Sequence, residues 1–116
     1  MEKLTIKSKR VQMRATKESI LDYLNELQSE LKDDGIVDLA LFGSCAKGSA
    51  GVYSDIDIAF RKDAHFAKTG ISARYFDLIS KLKEKIGKKF HKNIDIFDLD
   101  SQSPFKQTIE EELIYV

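Results

Sequence analysis

"LFGSCAKGSAGVYSDIDIAF", residues Leu41 to Phe60, decides the fold. An apolar run ends in Gly43-Ser44, a loop of small residues follows, and Asp55 and Asp57 then stand one residue apart at the start of a second apolar run. In a strand, residues two apart project to the same face, so Asp55 and Asp57 point together while Ile56 and Ile58 point the other way, into a core. Downstream, "NIDIFDL", Asn93 to Leu99, repeats the arrangement with Asp95 between Ile94 and Ile96. An adjacent third strand would bring its carboxylate beside the other two. Two unit charges about 4 Å apart repel by about 4 kcal/mol at an effective dielectric of 20, so three such pairs would rival a small domain's net stability. A cation or a proton has to compensate. Oxygen ligands without a nearby His or Cys select a hard cation such as Mg²⁺, which keeps several waters and is completed by substrate phosphates. The acidic pair alone also admits a plainer reading, in which Asp55 caps a turn after Ser54 and Asp57 and Asp95 are exposed edge residues.

The flanking residues favour the first reading. "IVDLALF", Ile36 to Phe42, is a short β-favouring run and reads as a buried strand feeding the turn at Gly43. Gly43, Ser44, Gly48 and Gly51 keep that turn free of bulk, so backbone N–H groups and the Ser44 hydroxyl can approach a phosphate. Gly43 and Gly48 have the spacing of a P-loop, but Ser49-Ala50 stands where that motif needs Lys followed by Ser or Thr. Lys47 is the candidate for the positive charge, with a solvated turn lysine as its plainer reading. Cys45 has no base partner evident in sequence and reads as a small packing residue.

Outward from this centre, Thr16 to Leu31 carries Ile20, Leu21, Leu24, Leu27 and Leu31 at helical spacing, with Thr16 as N-cap and "KDDG" as the stop. A polar stretch from Arg61 to Gly70 precedes a second helix from about Ser72 to Ile86, with Gly87 past its end. Ser103-Pro104 opens a last helix with Phe105, Ile109 and Leu113 on one stripe. The order predicts an α/β fold in which helices pack on a small mixed β-sheet.

A chain of 116 residues is expected to form one domain, residues 1–116, with room for a single core and none for a separate substrate domain. Nineteen basic and nineteen acidic residues cancel, so no global field is available to hold nucleic acid or a membrane surface. One cysteine, no apolar run near the ~20 residues of a membrane span and no signal-peptide core lead to the expectation of a reduced, cytoplasmic protein.

"GSCAKGSAGVYSDIDIAF" resembles the nucleotidyltransferase signature: a Gly-Ser turn, Asp-x-Asp on the next strand and a third Asp on a later one. The resemblance runs from about Ile36 to Leu99, and the small size is similar to the minimal nucleotidyltransferases of bacteria and archaea, often antitoxins encoded beside an all-helical HEPN-type partner. It implies the nucleotidyltransferase fold and two Mg²⁺ ions bridged by Asp55 and Asp57, with Asp95 joining them and serving as candidate general base. It further implies that Gly43 and Ser44 hold the β and γ phosphates of a nucleotide donor, with AMP from ATP passing to a hydroxyl of a protein partner. Lys47 stands where many relatives carry Arg, which keeps charge but loses bidentate contact. Transfer to a small molecule, or stoichiometric masking of a helical partner by a non-catalytic module, are the alternatives. A helical partner or a second copy of the chain would have to supply the acceptor wall.

Other features invite less. The lysines of Lys81 to Lys92 read as the solvated face and C-terminal end of a helix rather than an RNA patch. His65 and His91 lack ligand-spaced partners, Asp98 and Asp100 flank the third strand's end and read as loop acids, with Asp98 pointing away from Asp95's face if the strand continues that far, and Tyr53 is a turn aromatic that could stack on a base or simply pack. Glu110 to Glu112 reads as a charged helix face, open to a partner.

Overall fold

The computed structural model describes residues 15–51, 54–63 and 72–116, with side chains in the last segment from Tyr75 onward. Tyr53 and His65 lie outside the described residues, as does most of the polar stretch before the second long helix.

Helix α1, Lys17–Leu31, starts where its capping chemistry dictates. The Thr16 hydroxyl accepts from the Ser19 N–H at 3.1 Å, and the Ser19 hydroxyl accepts from the Thr16 N–H at 2.9 Å. Such a reciprocal cap satisfies donors that the first turn leaves orphaned. Ile20, Leu24, Leu27 and Leu31 form its buried stripe. A 3-10 turn, Lys32–Asp34, and Gly35 at φ 103° redirect the chain into strand β1, Ile36–Phe42. Helix α2, Gly43–Lys47, is a single short coil ending at Gly48 in the left-handed region. Strand β2, Ile56–Lys62, helix α3, Ser72–Phe90, strand β3, Ile94–Asp98, helix α4, Lys106–Glu110, and strand β4, Ile114–Tyr115, complete the order.

The sheet runs β3-β2-β1-β4, with β2 and β3 parallel and the other neighbours antiparallel. Helices α1 and α3 cover one face, where Leu39, Leu41, Ile56, Ile58, Phe60 and Ile94 meet Leu24, Leu27, Leu82 and Ile86 in the main core. The opposite face carries a smaller cluster, Ala40, Ala59 and Leu99, roofed by Ile109 and Leu113 from the C-terminal segment. Alternation along the strands assigns the isoleucines to the first face and Asp57, Ala59, Asp95 and Phe97 to the second. This is the mixed sheet with packed helices that the apolar runs predict.

Element ends depart from expectation in three places. Helix α3 continues through Gly87 to Phe90, and the left-handed residue that ends it is His91 at φ 55°, whose N–H reaches the Gly87 carbonyl at 2.7 Å. Gly87 sits inside the helix in ordinary backbone, and a Cβ there would make only ordinary contact with the Lys92 carbonyl oxygen, at 3.4 Å. The last helix is five residues long rather than extending to Leu113, and Phe105 is exposed, because Leu113 turns in beside β1 and the chain then pairs as β4. Strand β2 runs two residues past Phe60, since Arg61 and Lys62 find acids on neighbouring elements.

Those acids include Asp98, the last residue of β3, which faces away from Asp95's side as expected for a strand that continues that far. Its Oδ2 lies 2.5 Å from the Lys62 ammonium and accepts from the Tyr75 hydroxyl at 2.9 Å, tying α3 to the sheet. The lysines of α3 pair with acids nearby: Lys81 with Asp34 at 2.8 Å, Lys85 with Glu30 at 2.9 Å and Lys88 with Glu84 at 3.6 Å. The first two pairs tie α3 to the turn after α1 and to α1 itself, and the third lies along α3. Among the described residues, no helix is long and apolar enough to cross a membrane.

Candidate functional site

The register of β2 on β3 sets Asp57 directly beside Asp95. Paired residues of parallel strands project to one face, so the two carboxyls meet and hydrogen-bond. The Asp57 carboxyl is pushed up to about 6, first by burial and then by the charge and hydrogen bond of Asp95, with Asp55 and Glu112 adding smaller repulsions. Burial and the neighbouring carboxyls thus make the charged form of Asp57 costly, and either a proton or a cation relieves it. Asp55 lies one residue ahead of β2, is exposed, and acts on Asp57 through its charge.

Gly43 closes the site from β1. Phe42 pairs with Asp57 across the antiparallel ladder, so the chain turning into α2 passes directly over the Asp57 side chain. A Cβ on Gly43 would lie 3.0 Å from the Asp57 Cγ and would collide with Oδ2, and its φ of 74° is one that side chains rarely adopt. Two independent constraints therefore demand glycine here. Ser44 follows in the first turn of α2, half-buried. Cys45 and Ala46 turn inward to the core; the Cys45 thiol, pushed up chiefly by burial, donates to the Asp55 carbonyl at 3.7 Å and fastens α2 to the start of β2. The packing role foreseen for Cys45 agrees with that environment. On the far side of the loop, Ser54 accepts from the Gly51 N–H at 2.9 Å, while Lys92 holds the Ser54 carbonyl at 3.2 Å.

Lys47 is not free. Its ammonium lies 2.9 Å from Glu112 Oε2, and Glu112 Oε1 accepts from the Gly43 N–H at 3.3 Å. Lys47 draws the Glu112 carboxyl below its ordinary range. Sequence reasoning missed Glu112. Read as part of a charged helix face, it lies past the end of α4, 69 residues from Gly43, and no periodicity connects the two.

The donor set near Asp57 is all oxygen, which suits Mg²⁺. Among the described residues, no three His, Cys, Asp or Glu side chains stand close enough to surround one ion. An adjacent carboxyl pair fits a cation that takes one or two protein carboxylates and completes its shell with waters and phosphate oxygens.

The structure thus sets a Gly-Ser turn over a pair of strand carboxyls on a four-stranded mixed sheet, the arrangement that the sequence resemblance implies. The family model described as "Polymerase beta, Nucleotidyltransferase" matches residues 25–116, and the chain belongs to that family. It is 35% identical over 104 residues, 87% of this chain and 98% of the relative, to a Methanocaldococcus jannaschii protein provisionally named a protein adenylyltransferase. A solved structure of a provisionally assigned minimal nucleotidyltransferase superposes with a TM-score of 0.64 at 21% identity, covering 85% of this chain and 94% of the other. A crystal structure of a toxin–antitoxin with AMP-PNP superposes with a TM-score of 0.57 at 26% identity, covering 78% and 69% respectively.

Proposed function

We propose that this chain is a Mg²⁺- and ATP-dependent adenylyltransferase that moves AMP onto a hydroxyl of a partner protein. The observation that carries the reading is the Asp57–Asp95 pair held against the backbone of Gly43 at the start of the Gly-Ser turn. In this reading the Gly43 N–H, the Ser44 hydroxyl and the Lys47 ammonium bind the β and γ phosphates, while the adjacent pair Asp57 and Asp95 would hold the metal and Asp55, exposed just ahead of β2, would add negative charge beside it. Bound Mg²⁺ would neutralise phosphate charge and offset the crowded carboxylates of the acidic pair. Asp95 accepts the proton of the incoming hydroxyl. The hydroxyl oxygen bonds to the α-phosphorus as its bond to the α–β bridging oxygen breaks, and pyrophosphate departs on the Gly43–Lys47 side.

The adenylyltransferase name of the archaeal relative supports protein as the acceptor class. The toxin–antitoxin neighbour supports a cognate partner and an antitoxin role, for which a small helical HEPN-type protein encoded nearby is our candidate. Mass spectrometry of this chain and its co-purifying proteins after incubation with Mg²⁺ and ATP tests the reading. An AMP-sized gain on a partner hydroxyl, absent with Asp57→Asn, is the expected result. A partner bound tightly and neutralised equally well by Asp57→Asn would instead establish stoichiometric masking.

A further inference from the structure

Glu112 occupies the place that the proposed function gives to a phosphate. Its two carboxylate oxygens take the Gly43 N–H at 3.3 Å and the Lys47 ammonium at 2.9 Å, a backbone donor and a cation of the proposed cradle. A carboxylate resembles a phosphate to such donors, since both offer anionic oxygens spaced for two partners. It also adds negative charge beside Asp57, where an incoming triphosphate would bring more. The contact is weakly built. Lys47 is more than half exposed, with 58% of its side-chain surface accessible, so this ion pair is of the modest, screened kind. The segment bearing Glu112 is anchored on either side of it, by Ile109 and Leu113 on the small cluster and by Ile114, Val116 and the Val116 N–H bond to the Leu39 carbonyl at 3.1 Å, while Glu112 itself has only the exposed pair and the Gly43 N–H to hold it.

We propose that Glu112 is an internal phosphate mimic that blocks the nucleotide cradle, and that a nucleotide triphosphate binds by displacing it. This rests on the proposed function only in assigning the phosphates to Gly43 and Lys47. A plug of this kind lowers apparent affinity by the fraction of molecules in which the cradle is open, so removing its charge tightens binding without adding a contact. It also opposes productive binding by anions too weakly charged to compete.

The test is titration calorimetry of ATP with Mg²⁺ on the full chain, its Glu112→Gln and Glu112→Asp variants, and Lys47→Ala. The plug predicts about fivefold tighter ATP binding by Glu112→Gln, in line with loss of an exposed ion pair. Glu112→Asp, which keeps charge but has a shorter reach, should fall between. Amide exchange at Ile114 and Tyr115 should quicken when ATP is added to the unsubstituted chain, because displacement of Glu112 loosens β4; a purely structural Glu112 would leave it unmoved. Weaker or unchanged ATP binding by Glu112→Gln, with Lys47→Ala clearly weakened, would overturn the plug and leave the cradle standing. Unchanged binding by Lys47→Ala would overturn the cradle and the plug with it.

Discussion

Gly43 and Asp57 are two halves of one constraint, since the carboxyl rests where a side chain at 43 would begin. Gly43→Ala should cost about 1–3 kcal/mol of stability, the range for a side chain forced into a disfavoured backbone region, and the colliding methyl should displace the Asp57 carboxyl. A misplacement near 1 Å costs transfer on the order of 100-fold, so single-turnover AMP transfer should fall at least that far while the variant remains folded by circular dichroism. The titration of Asp57 gives a second prediction. Its carboxyl titrates near 6 when folded and near the ordinary 3.8 when unfolded, so the folded state binds the proton more tightly. Stability from this group is therefore full below about pH 4, declines as pH rises through 6 and stays low above, in contrast to an ion-paired carboxylate. Asp57→Asn removes that dependence. Its melting temperature relative to the parent chain should be constant below pH 4 and rise in its favour between pH 4 and 6, whereas a flat difference across that range would contradict the crowding of Asp57 by burial and by Asp95.

At the level of elements, what the sequence conceals is where helices stop. Apolar spacing locates α1, β1, β2, α3 and β3, because each buries one face in a regular period. Helix α3 overruns its expected stop because Gly87 keeps helical backbone, and the left-handed turn that ends the helix falls on His91. His91→Gly should raise stability by about 0.5–1 kcal/mol by relieving a side chain in left-handed backbone, as read from urea denaturation midpoints. Strand β4 is two residues long, too short for a period to show; it pairs with β1 where Ile114 and Val116 pack on the main core and Leu113 and Ile109 cover Ala40 and Ala59. Asp55, Asp57, Asp95 and Gly43 stand out in sequence because charge or glycine interrupts an apolar strand boundary. Glu112 does not, since its role arises only when the C-terminal segment folds back over β1.

Over the whole molecule, the two ends of β2 have separate duties. The Asp57 end holds the carboxyl pair, and the Lys62 end holds a closed ionic knot in which the Lys62 and Asp98 side chains are only 13% and 11% exposed. Asp98→Ala would strand the Lys62 ammonium beside Asp100 and free Tyr75 from the sheet. A loss of about 3 kcal/mol is expected, near the lower end for breaking a buried pair by removing one partner. ATP affinity measured well below the melting temperature should be unchanged, since the knot lies beyond the far side of Ala59 and Phe60 from Asp57; a matching loss of affinity would show that the ends are coupled. The rung joining Asp57 to Asp95 bears also on how the sheet assembles. A slip of one residue between β2 and β3 would turn Asp95 under α3 and leave Ile94 and Ile96 on the open face, so wrongly aligned sheets carry a buried charge that the native one avoids. The acids thereby sort correct from incorrect alignments while the chain is still folding, before any nucleotide arrives.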